Sequence, residues 1–332
     1  MRNMMLSALL LCLTATASAK TPDQLRAEFI DQMVERYGFS KREVTRALYQ
    51  AELRRPILEA IARPAEKTLN WSEYRDIFVT PSRIGGGVDF WQRHADTLAR
   101  AEREYGVPAQ IIVAILGVET RYGANTGGYR VLDALHTLGF HYPRRGKFFR
   151  EQLSHFLRFA REEKLSPTKP TGSYAGAMGV PQFMPDSFRT YAVDFDGDGH
   201  RDIWQSIDDV IGSVANYFVE KGKWRPGEPV AGPAHGVTAK HQALIDAGAK
   251  PSLNVDQVVS AGIEFGPRPP SGGKVSLLEF ETHDGKEYWV GLDNFYAIMR
   301  YNPRTKYAMA VFQLSEAIRE RYVQAGAAPS AG

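Results

Sequence analysis

Hydrophobic positions recur at helical spacing over most of the chain. From Pro22 to Ala62, an apolar face that includes Leu25, Phe29, Met33 and Val34 predicts amphipathic helices. Val44, Leu48 and Leu53 continue the series after Phe39, with Ser40 placed to cap the second helix through its hydroxyl. Pro64 and Pro81 punctuate this region, and Gly85-Gly86-Gly87 reads as a flexible break. A helix carrying Trp91, His94, Ala95 and Leu98 is expected beyond it. Pro108 then stands at the first turn of a run through Ile111, Ile112, Val113, Ile115, Leu116 and Val118. That run is apolar nearly all round, so it belongs in the centre of a domain, with Gly123 expected to end it. Helical patterns continue over Phe148 to Phe159, Val210 to Phe218 and Met309 to Ile318.

The texture changes after Trp224, where Pro226, Gly227, Pro229, Gly232 and Pro233 mark a boundary. Strand-like runs follow at Val275 to Thr282 and Glu287 to Leu292, joined by His283-Asp284-Gly285-Lys286 as the turn of a hairpin. The expected architecture is mainly α (α+β), a helical core with a small strand-containing insertion over about 226–291. From Gln324 the chain is expected to fray.

The first residues do not belong to this pattern. Arg2 precedes an apolar stretch from Met4 to Leu13, and Ala17-Ser18-Ala19 offers the small residues of a cleavage site. The stretch falls short of the roughly 20 residues a spanning helix needs. Residues 1–19 therefore read as a signal peptide cleaved after Ala19, which implies export to the periplasm. Cys12, the single cysteine, lies within it and follows Leu11 rather than a small residue, which argues against a lipid anchor. The mature chain then has no disulfide, thiolate metal site or cysteine nucleophile. Its formal net charge of +3 over 332 residues gives no support to nucleic-acid binding.

Four features carry candidate chemistry. Glu119 closes the apolar run, and a dry setting raises a carboxyl's pKa toward the range of a general acid. The segment from Ser173 to Pro185 combines small residues, which let backbone approach a ligand, with the amide of Gln182. Asp194, Asp196 and Asp198, with Gly199 and then His200, follow the start of a calcium loop, His200 offering its backbone carbonyl. The twelfth position is Gln205 rather than glutamate, so either Asp208 or Asp209 would close a lengthened loop. Finally, Tyr74, Tyr122, Phe183, Trp204, Tyr301 and Tyr307 sit in or near these segments and can stack on sugar rings. Asn302 can bond an acetamido group, and Arg144 and Arg145 can meet lactyl or peptide carboxylates.

Taken together, these segments resemble the bacterial lytic murein transglycosylases of the B type over most of the mature chain. The resemblance rests on Glu119-Thr120-Arg121-Tyr122-Gly123, the Ser173 to Pro185 segment, Asp194 to Asp202, Gly212-Ser213-Val214-Ala215-Asn216-Tyr217 and Tyr301-Asn302. It implies a lysozyme-like helical core over 103–225, completed by a return at 292–322. An N-terminal helical domain at 20–102, the small β domain at 226–291 and a tail at 323–332 complete the chain. It implies that Glu119 is catalytic, that Ser173 holds its carboxylate, and that Gln182, Tyr74, Phe183, Tyr301, Asn302 and Tyr307 line a groove. It also implies a structural Ca2+, no organic cofactor and action on peptidoglycan glycan strands; the chain is expected to be a monomer, with cell-wall synthesis proteins only as candidate partners, on which the sequence itself is silent. Glycosidases with two carboxylates need a second acid; none stands out here, and the family's answer is assistance from the substrate's own acetamido group. Two other readings remain open on the residues alone: a goose-type lysozyme in which water completes the reaction, and a non-catalytic wall-binding module.

Overall fold

A computed structural model describes residues 20–63, 69–270 and 272–327. Among them the chain opens with α1 (Pro22–Tyr37), α2 (Lys41–Gln50), α3 (Arg55–Ala62), α4 (Trp71–Phe78), α5 (Pro81–Arg93), α6 (Ala95–Tyr105) and α7 (Ala109–Thr120). A two-stranded ribbon, β1 (Tyr129–Arg130) with β2 (Thr171–Gly172), brackets α8 (Val131–His141) and α9 (Gly146–Glu162). The helices α10 (Pro185–Tyr191) and α11 (Ile207–Tyr217) follow. The strand-containing part holds β3 (Ala231–His235), α12 (Gln242–Ile245), β4 (Leu253–Asn254), α13 (Val255–Ser260), β5 (Glu264–Phe265), β6 (Lys274–Thr282) and β7 (Gly285–Gly291). The chain then returns through α14 (Asp293–Met299) and α15 (Thr305–Ala327). The expected signal peptide, Cys12 and Pro64 lie outside the described residues.

Local chemistry explains the first elements. Thr21 and Gln24 form a capping box on α1, Pro22 occupies the first turn, and Gly38 ends the helix in the left-handed region at φ 64°. Ser40 caps α2 as expected, its hydroxyl accepting the Glu43 N–H while Glu43 reaches back. Leu53 falls beyond the end of α2 and is exposed, so it does not continue the apolar face.

Three expectations about the helical centre are corrected by long-range packing. Gly85, Gly86 and Gly87 are not a break; they lie inside α5. A β-carbon on Gly87 would stand 2.7 Å from the Tyr122 hydroxyl and 2.5 Å from Ile318, and one on Gly117 would stand 2.6 Å from that hydroxyl. Glycine here makes the seat in which Tyr122 lies between α5 and α7. Seating the ring also ends α7 early. Arg121 and Tyr122 both adopt positive φ (51° and 61°), so the helix stops before Gly123. The helix expected over Trp91 to Leu98 is two, meeting at His94. At the far end, α15 runs on to Ala327 instead of fraying from Gln324.

Ten of the twelve residues of α7 are buried; only Gln110 and Glu119 keep partial exposure. The helix is enclosed by α5, α6, α11 and α15. One apolar cluster runs from Phe29 to Ile318 and takes in the N-terminal helices together with the central ones. The strands form one antiparallel sheet in the order β4-β6-β7-β3-β5. The β6–β7 turn is shorter than expected: Thr282 pairs with Gly285 and Glu281 with Lys286, leaving His283 and Asp284 as the loop. Alternation along β6 serves two cores. Val275 and Leu277 join Leu253, Val258, Ile263 and Val290 in a small cluster, while Leu278 and Phe280 face the helices. Phe280 packs on Trp71 of α4, 5.3 Å between ring centroids. The sheet thereby buttresses the helix that carries Tyr74.

Candidate active site

Glu119 sits in the last turn of α7, where the helix leaves the core. The residue keeps partial exposure, but its carboxyl lies amid dense protein, and burial pushes its pKa from 4.5 up to about 7. The opposing influence is one hydrogen bond: the Tyr307 hydroxyl donates to Glu119 Oε1 at 2.5 Å. No other carboxylate among the described residues contributes to the shift. Tyrosines surround it instead. The phenols of Tyr74, Tyr301, Tyr307 and Tyr217 are all raised, first by burial, and Glu119's negative charge raises each further. The result is a lone carboxyl, raised to titrate near neutrality, against an aromatic wall built from α4, α11 and the start of α15.

The Ser173 to Pro185 segment is a folded loop fastened to that helix. The Ser173 N–H donates to Ala177 at 2.8 Å, and Met178 and Phe183 exchange backbone hydrogen bonds. Thr120, beside Glu119, donates to the Val180 carbonyl at 2.9 Å, and Tyr301 donates to the Pro181 carbonyl at 2.5 Å. Gln182 adopts φ 53° and donates its amide to Gly179 and Thr126, at 2.8 and 3.1 Å. The loop is therefore a rigid wall. Thr120 and Tyr217 are two members of this assembly that the sequence reading did not single out. Tyr217 carried a signal, since it ends the Gly212 to Tyr217 segment. The contact from Thr120 to Val180 spans sixty residues and leaves no local trace.

The acidic loop after α10 gathers three carboxylates. Oxygen atoms of Asp194, Asp196 and Asp209 lie within 4.8 Å of one another. Asp209, fully buried at the first turn of α11, accepts the N–H groups of Phe195 (2.6 Å), Asp202 (2.7 Å) and, at 3.3 Å, Asp196. Of the two candidates to close the loop, Asp209 is the one brought in; Asp208 instead accepts the Thr97 hydroxyl at 2.6 Å. Asp198 accepts the His200 N–H. An all-oxygen donor set from spaced aspartates suits a hard divalent cation such as Ca2+.

With this geometry in view, comparison with known proteins is decisive. Residues 21–316 match the transglycosylase SLT domain family. The chain belongs to that family. It is 44% identical over 309 residues to the membrane-bound lytic murein transglycosylase B of Escherichia coli K12, covering 90% of this chain and 83% of the relative. It is similar to the crystal structure of the soluble lytic transglycosylase SltB1 from Pseudomonas aeruginosa (50% identity, TM-score 0.84, 89% of this chain and 99% of that one). It is also similar to an Escherichia coli lytic transglycosylase in complex with bulgecin A (42% identity, TM-score 0.82, 90% and 94%). Within this transglycosylase-domain chain, several family-implied roles look different in detail. Ser173 Oγ accepts the N–H groups of Ala175 and Ala177, and the hydrogen bond to Glu119 comes from Tyr307. Phe183 is buried in the core against Tyr217 and Tyr301, so it supports the wall rather than offering a free face. Arg144 and Arg145 lie on the exposed turn before α9, where Arg145 covers the rings of Phe148 and Phe149. Asn302 follows Tyr301 in the partly exposed turn before α15.

Proposed function

We propose that Glu119 is the single acid/base of a lytic transglycosylase that cleaves the β-1,4 bond between N-acetylmuramic acid and N-acetylglucosamine in peptidoglycan. The observation that carries this reading is a lone carboxyl whose pKa burial brings to about 7, with the Tyr307 hydroxyl as its hydrogen-bond partner. Protonated Glu119 gives its proton to the glycosidic oxygen as the bond from that oxygen to C1 of the muramyl residue breaks. The muramyl 2-acetamido oxygen bonds to C1 and takes up the positive charge, which a second carboxylate would do in a two-acid enzyme. Glu119, now a carboxylate, removes the proton of the same sugar's 6-hydroxyl. That oxygen bonds to C1 as the acetamido oxygen leaves. A 1,6-anhydromuramyl end forms, and Glu119 is again protonated. Tyr307 holds Oε1 so that the carboxyl keeps one orientation through both transfers. Tyr74, Tyr301, Asn302 and Gln182 shape the groove that receives the sugars. Asp194, Asp196 and Asp209, with Asp198 and the His200 carbonyl, would hold a Ca2+ that fixes the loop between α10 and α11 and takes no part in the chemistry. The chain works in the periplasm after loss of residues 1–19, as a monomer.

The test is mass analysis of muropeptides released from purified sacculi by wild type and Glu119→Gln. Anhydromuramyl products from wild type alone are expected. Reducing-end products, heavier by one water, would instead make the chain a hydrolase.

A further inference from the structure

A second polar site lies at the same end of α7, on the side of its last turn that faces α5. Arg83, in the first turn of α5, is buried among Phe78, Tyr122 and the end of α7. Its guanidinium donates to the Gly117 carbonyl and, at 3.2 Å, to the Ile77 carbonyl. Two of its five N–H groups are thus accounted for, and no carboxylate pairs with it among the described residues. Arg121 lines the same cleft from the end of α7, exposed and held by its left-handed backbone, likewise without an acid among the described residues. Thr80 and Ser82 supply hydroxyls, and the cleft measures about 250 Å3.

Two guanidinium groups in one cleft with no acid between them are an electrostatic debt, because a buried cation is costly unless an anion meets it. Burial and the charge of Arg121 both lower the pKa of Arg83, as expected for cations drawn together. The first turn of α5, a helix of thirteen residues whose Thr80, Ser82 and Arg83 line the cleft, adds to the positive potential through its dipole. Carbonyl contacts explain how Arg83 is held. They do not explain why a second arginine faces it, since one cation already serves the end of α7.

We infer that Arg83 and Arg121 form an anion subsite that takes a carboxylate of the peptide stem borne by the muramyl residue. The inference rests on the reading of the chain as a peptidoglycan-cleaving enzyme. Position favours the stem: Arg121 stands two residues beyond Glu119, just past the end of the helix that carries the acid. The muramyl lactyl group projects its peptide away from the sugar ring, so a carboxylate reader belongs beside the cleavage point rather than in it. A guanidinium fork matches a carboxylate with two parallel hydrogen bonds.

The experiment compares kcat/KM on intact peptide-bearing glycan strands with that on strands stripped of peptides by an amidase. Wild type is set against Arg121→Gln and Ser82→Asp; the latter places a carboxylate at the rim, where a helix N-terminus tolerates one. The ratio of the two kcat/KM values is expected to fall about tenfold in both variants, the scale of a lost charge-assisted pair. An unchanged ratio, or an equal loss on both substrates, overturns the subsite. Free stem tetrapeptide titrated into the protein gives a second readout: binding to wild type that is lost in Arg121→Gln supports it. Stabilisation by inorganic phosphate with no response to the tetrapeptide would assign the cleft to a free anion and overturn the stem assignment. If wild type released no anhydromuramyl product from either substrate, the transglycosylase reading would fail, while the tetrapeptide titration would still decide the subsite.

Discussion

Replacing Glu119 with glutamine should stabilise the protein, and the gain should depend on pH in a defined way. In the folded chain the carboxyl has a pKa of about 7, against an ordinary value of 4.5. Between these values the folded protein holds a proton that the unfolded chain has released, so stability is lost as pH rises through this window. At roughly 1.4 kcal/mol per pH unit, the wild type at alkaline pH forfeits about 3 kcal/mol relative to its stability below pH 4.5. Glutamine has no charge to bury and keeps an oxygen for the Tyr307 hydroxyl. The assay is paired urea unfolding of wild type and Glu119→Gln from about pH 4 to about pH 9, read as the difference at each pH so that other titrating groups cancel. The difference is expected to be near zero at the acid end and to grow to about 3 kcal/mol, or about 4 °C in melting temperature, above neutrality. A difference that is flat across pH would refute the argument that burial sets the charge state of Glu119, and with it the account of the acid step.

Other consequences can be tested alongside. Tyr307→Phe removes the hydrogen bond that lowers the pKa of Glu119, so the alkaline limb of the kcat/KM profile should move up by less than about one pH unit; a downward shift would contradict the assignment. Calcium at a hundredfold excess over its Kd should stabilise wild type by about 3 kcal/mol in thermal melts. Asp208→Asn should keep that response and Asp209→Asn should lose it, because only Asp209 joins the carboxylate cluster. Gly87→Ala should cost about 2 to 3 kcal/mol, since its new carbon would meet Tyr122 and Ile318 at 2.7 and 2.5 Å; a neutral result in chemical denaturation would mean that the Tyr122 seat yields freely.

Features determined within a few residues were legible in the sequence. The capping of α2 by Ser40, the burial of α7 and the β6–β7 hairpin all follow from local spacing and composition, and each is present. The desolvation of Glu119 was legible for the same reason: a glutamate closing an all-apolar helical run announces its own dryness. Misreadings cluster where one side chain sets the conformation of a distant segment. Gly85-Gly86-Gly87 has the composition of a break, yet the triplet stays helical because the Tyr122 ring needs the space two of its glycines leave and covers them in return. The same ring explains why α7 stops at Thr120 on two non-glycine residues with positive φ.

The orientation of the carboxyl is the deeper case. Nothing near Glu119 in sequence identifies Tyr307, 188 residues away, as its hydrogen-bond partner; only the return of α15 beside α7 brings them together. Ser173 is equally remote, and its hydroxyl oxygen accepts two N–H groups of its own loop. A sequence can therefore state that an acid is dry, because dryness comes from its own helix, but not which group aims it. The position of Tyr122 ties this to the rest of the molecule. By ending α7 at Thr120, its seat between α5 and α7 fixes how far Glu119 projects, and it turns Arg121 toward Arg83. One aromatic ring in a glycine seat thus sets both the reach of the acid and the spacing of the two arginines, and so these two functions should be perturbed together when the seat is filled.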